Sequence, residues 1–168
     1  DWFELRPARE VRVRELGGHY LELAGPLAPW GGQYGFALAV GGALSAHDAA
    51  RLWLDRLAPL PGAWSSVGGA GAAAFTRLVA EAFQFAWLGA PELPCAPQAI
   101  WMQVRERHLL LAERLLEAAQ RYLALHPQEA SFAALLASFL VEAVSLGREA
   151  DAMLRDWLAA QRPADAAG

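Results

Sequence analysis

The residues of this chain whose types could do chemistry are four histidines, one cysteine and a regular set of glutamates. A zinc site would need several of them converging, because the ion takes four nitrogen, sulfur or oxygen ligands. His19 falls in a glycine turn, His47 near a helix start, His108 in mid-helix and His126 at a helix junction. No HxxxH or HExxH pair occurs, which leaves a metal centre without its usual helical spacing. His126 and Glu129 stand at HxxE spacing, which a proline-containing helix start explains without a metal. Cys95 lies between two prolines in PCAP, a loop setting, and a lone cysteine forms no internal disulfide.

Phosphate chemistry would need a glycine loop between a strand and a helix, where backbone amides face an anion. GAGAAA, Gly69 to Ala74, matches G-x-G-x-x-A and precedes a helix. The preceding PLPGAWSSV makes a poor strand, and no acidic residue follows on a second one. Flexible-loop glycine is therefore the expected role. Ser65 and Ser66 lack the flanking glycines of a nucleophile elbow.

Glu106, Glu113 and Glu117 fall near one line of a long helix, beside Arg107, Arg114 and Arg121. A di-iron bundle turns its carboxylates inward with Glu-x-x-His pairs. Here they oppose the apolar seam, and Glu117 can pair with Arg121 one turn on, so a solvated face is expected. The seam itself runs Trp101, Val104, His108, Leu111, Leu115, Ala118, Tyr122, Leu125. Its histidine reads as a packed imidazole. The alternative reading is a helical small-molecule or haem-binding sensor or carrier lined by His108 and Tyr122.

These residues need elements to hold them. EVRVREL and YLELAG alternate around Gly17-Gly18-His19, a hairpin pattern that puts Val11, Val13, Leu21 and Leu23 on one face and Arg12, Arg14, Tyr20 and Glu22 on the other. QYGFALAV alternates large and small residues as a third strand. From SAHD, a capping-box pattern at Ser45, the chain turns helical, with Leu52, Trp53 and Leu57 expected inward. The chain thus reads as α+β, mainly α. An N-terminal three-stranded antiparallel β-meander over about 9–41 packs on a bundle of about five helices. The helices fall at about 46–57, 72–88, 98–125, 128–146 and 148–161, in one domain spanning 1–162 with a flexible tail at 163–168. Helix 128–146 is apolar nearly all round, as a central enclosed helix would be. Ser131, Ser138 and Ser145 recur along it every seven residues, a small strip for close helix contact.

Composition bounds the function. In 168 residues 55% are apolar and only 19% charged, an excess that implies a large core, an oligomer interface or a docking groove. The net charge of −4, with no basic cluster, argues against a nucleic-acid binder, whose affinity comes largely from neutralising phosphates. Arginine is the sole cation, lysine and asparagine are missing, and Ile100 is the one isoleucine, which points to a GC-rich source genome. The run 130–147 contains Glu142 and three serines, so it suits a buried helix better than a membrane span. No motif implies a cofactor, and a cytoplasmic setting is expected. Trp53, Trp87, Trp101 and Trp157 lie on helical faces and read as core, whereas Trp2, Trp30 and Trp64 fall in termini or loops and read as partner anchors. The expected function is a non-enzymatic protein–protein interaction module: an adaptor, assembly factor or chaperone-like accessory protein, binding another protein or itself.

Overall fold

The computed structural model describes residues 2–25, 31–88 and 97–160. Its first surprise is local. Residues 3–5 form a 3-10 turn that leads into helix α1, Arg6–Glu15, which has Pro7 in its first turn, where the missing N–H costs nothing. Gly17 then takes φ 76°. Its N–H donates to the Arg14 carbonyl, and the Gly18 N–H to that of Val13. This is a Schellman end, in which a left-handed glycine lets the chain close over orphan carbonyls. The glycine pair expected to turn a hairpin ends a helix instead. The Val11/Val13 alternation misleads because α1 buries none of its residues, so no core face fixes its period.

The sheet is small and mixed. Strand β1 (Leu21–Ala24) runs antiparallel to β2 (Leu38–Gly42), with Glu22 opposite Gly41. Between them, Gly31–Tyr34 forms a single helical turn, α2. Helix α3 (Leu44–Leu57) crosses over to β3 (Trp64–Gly68), which pairs parallel to β2, giving the order β1-β2-β3. The antiparallel meander over 9–41 is thereby corrected: its first segment is helical, and the third strand comes instead from a segment that reads as loop, on the far side of β2. WSSVG shows no alternation of its own; the edge of β2 makes it a strand, by pairing remote in sequence. The capping box at Ser45 does not form either, since the helix begins at Leu44 with no side-chain cap. Helix α3 packs through Ala46, His47 and Leu54, leaving Leu52, Trp53 and Leu57 outside rather than inward.

Three long helices complete the fold: α4 (Ala72–Leu88), α5 (Pro97–Leu125) and α6 (Phe132–Ala160). Their buried faces are rich in alanine, with Ala72, Ala73, Ala118, Ala119, Ala133 and Ala137 packed around Phe3, Phe75 and Tyr122. Small residues bring the helix axes close, and the aromatic rings fill the space left. The two C-terminal helices expected at 128–146 and 148–161 are one, running through Gly147. A helical glycine costs about 1 kcal/mol but does not stop a helix whose neighbours continue it. Nor is α6 enclosed, as the apolar character of 128–146 suggested: one face is buried and another, which carries Phe132, Leu135, Phe139 and Leu146, meets water. The serine strip lies outside the core as well, with Ser138 and Ser145 exposed and Ser131 accepting the Ala134 N–H at the start of α6. Among the described residues, no helix is long and apolar enough to cross a membrane.

Candidate functional site

Two features stand out from the packing: a glycine loop gripped by carboxylates, and the outer face of α6. The loop joins β3 to α4. The strand that a phosphate-binding loop requires is present after all, and the amides at the start of α4 do converge. They converge on the protein's own carboxylate. Gly71, Ala73 and Ala74 donate to Glu22 Oε1 at 3.0, 2.6 and 3.3 Å. Glu22 is 6% exposed rather than on a solvent face. It reaches the helix end because its cross-strand partner is Gly41, where any Cβ would stand 2.6 Å from Glu22 Oε1. Arg6 Nε lies 3.8 Å from Glu22 Oε2, balancing the charge at a distance too long for a hydrogen bond. A negative group at a helix N-terminus is favoured by the orphan amides and the dipole. The amides of Gly71, Ala73 and Ala74 are thereby engaged by the protein's own carboxylate rather than turned to an incoming phosphate.

The other side of the loop is held by Glu129. Its Oε1 accepts the Gly69 N–H at 2.6 Å, and its Oε2 accepts the Tyr122 hydroxyl at 2.9 Å and stands 3.2 Å from His126 Nδ1. Glu129 lies three residues before the start of α6. Gly68, with φ 146°, approaches so closely that a Cβ would meet Glu129 Oε1 at 2.5 Å. Phe75, Tyr122 and His126 stack in series, with ring centroids 4.6 and 4.5 Å apart, and Phe3 meets Phe75 edge-on. Burial, reinforced by the Glu129 charge, pushes the Tyr122 phenol far above its ordinary range. A hydroxyl so held donates a hydrogen bond and does not ionise. The Tyr122–Glu129–His126 arrangement thus anchors the loop to the α5–α6 turn. Among the described residues, no group of three or more His, Cys, Asp or Glu could hold a metal ion.

The residues singled out by sequence fare unequally. Tyr122 is fully buried, and it lies 14 positions from His108 on α5, about 21 Å along the helix axis. The side chains of His108, Trp87, Trp101 and Trp157, together with Trp30 and Cys95, lie outside the described residues. Trp2 is exposed. Trp64 is half-buried, its indole N–H donating to Asp55 Oδ1 at 2.9 Å and its ring edge-on to His47. That bond, with one from the Gly62 N–H, holds the Asp55 carboxyl below the usual range. Trp53, expected in the core, is exposed. The expected Glu117–Arg121 pair forms at 3.7 Å, and Arg121 also reaches Glu4 at 3.3 Å.

On α6, Phe132, Leu135, Phe139, Leu146 and Met153 are all 55–73% exposed. Their spacing places them within a narrow arc of one helix face, whereas Leu52 and Trp53 of α3, adjacent in sequence, point about 100° apart. At the start of this row lies an open pocket of about 370 Å³, bounded by Leu123, His126, Glu129, Ala134, Leu135 and Ser138. The sequence shows that the segment 128–146 is apolar nearly all round, but not which side faces water. No family model matches the chain, and no curated protein matches it significantly.

Proposed function

We propose that the protein is a non-enzymatic interaction module that docks another protein along the outer face of α6. The observation that carries this is the row Phe132, Leu135, Phe139, Leu146 and Met153, exposed along one side of a single helix. From Phe132 to Met153 the row spans about 31 Å. It holds on the order of 600 Å² of apolar surface, at the upper end of what a monomer exposes without using it. The pocket beside Leu135 gives such a partner a place for one large anchoring side chain. Exposed Trp2 offers a further contact. The buried carboxylates support the same reading from the other side, because their hydrogen bonds run to the protein's own amides and hydroxyl.

A photo-crosslinking residue placed in turn at 139, 146 and 120 in cells that make the protein tests this. Discrete adducts are expected at 139 and 146, and none at the exposed Gln120 control. No adduct at either row position, or the same ladder at all three, would overturn the proposal.

A further inference from the structure

The outer face of α6 is ordered across its width as well as along its length. The apolar row Phe132, Phe139, Leu146, Met153 repeats every seven residues. Three positions further on, and so about 60° round the helix, Leu135 is followed by Glu142, Glu149 and Asp156, again every seven. Beyond these run Ser131, Ser138 and Ser145. A seven-residue repeat drifts only about 20° per step on a straight helix, so the rows stay side by side. Glu142, Glu149 and Asp156 are all exposed, and none enters an ion pair among the described residues. Arg148 of the same helix is turned to Glu113 on α5, 3.5 Å away.

Resting on the docking reading above, we infer that the occupant of this face is an amphipathic helix of a different protein, with arginine or lysine along one flank of its apolar stripe. The seven-residue repeat selects a helix, since two helices at a shallow crossing angle keep such rows in contact. A strand, with its period of two, does not. The acidic row selects the partner's charge. A second copy of this chain answers it poorly in either symmetric arrangement. In an antiparallel pair a two-fold axis brings like flanks together, setting Glu142 and Glu149 beside their own counterparts. In a parallel pair the acidic row faces Ala143 and Ala150, which offer no cation. A basic flank relieves the row at every seventh residue, while the apolar stripe covers Phe139 and Leu146. The pocket at the start of the row then receives a large side chain from one end of the partner helix.

Two synthetic helices of about four heptads provide the probe, both with leucine along one stripe. One carries arginine along both flanks and the other glutamate. Binding to the whole protein is read by fluorescence anisotropy. Three exposed pairs, each of modest strength, should make the arginine helix bind about tenfold more tightly in dilute salt. The gap should shrink as salt screens the charges. The variant E142R/E149R should reverse the preference, and Phe139→Ser should weaken both helices while leaving the melting temperature unchanged. Equal binding of the two helices, binding of neither, or a preference untouched by E142R/E149R would overturn the inference. So would a dimer in light scattering that Phe139→Ser turns into monomer. Crosslinks at 139 and 146 with no charge preference would remove the basic helix and leave the docking face standing. Absent crosslinks would remove the face itself.

Discussion

The carboxylate clamp and the outer face of α6 depart from ordinary burial in opposite directions. One places Glu22 and most of Glu129 out of water; the other leaves phenylalanine, leucine and methionine in it. Their difference lies in what answers them. Glu22 receives three backbone N–H groups, and Glu129 receives an N–H and a phenol beside His126. A buried charge satisfied within the chain does its work within the chain: it ties the β3–α4 loop to β1 on one side and to the α5–α6 turn on the other. Among the described residues, the exposed row has no such answer. Substitutions should therefore move stability in the first region and association in the second.

The largest expected effect is at Glu22. Glu22→Ala orphans three amides at the start of α4 and should cost about 3 kcal/mol or more, read by thermal unfolding and by faster amide exchange at Gly71 to Ala74. An unchanged melting temperature would break the contrast. Gly68→Ala should follow at about 2 kcal/mol, because a Cβ there meets Glu129 on a backbone with φ 146°. Tyr122→Phe removes one hydrogen bond while keeping the ring stack, for about 1 kcal/mol. Denaturant titration separates it from Glu129→Ala, which also frees the Gly69 N–H. At His47, burial lowers the imidazole below its usual value of 6.5, against the opposing pull of Asp48. The unfolded chain then takes up its proton first as the solution is acidified. This residue contributes nothing to the pH dependence above that value and lowers stability as pH falls below it, until the folded form protonates too. His47→Leu should flatten that part of the stability–pH curve; an unaltered slope would count against the burial. The smallest change in stability, within about 0.5 kcal/mol, is expected for Phe139→Ser with Leu146→Ser, although the docking face would be lost.

How much of this was legible varies with how local the cause is. Helix 72–88 follows from its own residues, and α5 from the seam through Leu115, Ala118 and Tyr122, all of which are buried. The pairs Arg77–Glu81 and Glu117–Arg121 are one helical turn apart and form as spacing suggests. Gly17-Gly18 was ambiguous, because a left-handed glycine serves a hairpin and a helix end equally well. Glu22 in LELA resembled a solvent-facing strand residue. What buries it is Gly41 opposite and the α4 amides some 50 positions away, and neither signals its partner in sequence. His126 and Glu129 were visible as a spaced pair, yet the role of Glu129 depends on Gly69, 60 positions earlier.

The sequence by itself determined a mainly helical chain with an apolar excess, an acidic balance and a segment, 128–146, apolar nearly all round. Periodicity and charge are properties of neighbouring residues and survive any arrangement of the elements. Only the tertiary structure decided that WSSVG is a strand, that Glu22 fills the place a phosphate would take, and which side of α6 stays in water. Each of those depends on a partner far along the chain. The apolar residues of such a segment carry no mark of which ones its neighbours will cover; here Ala133, Ala137 and Leu140 went inward, and Phe139 and Leu146 stayed in water.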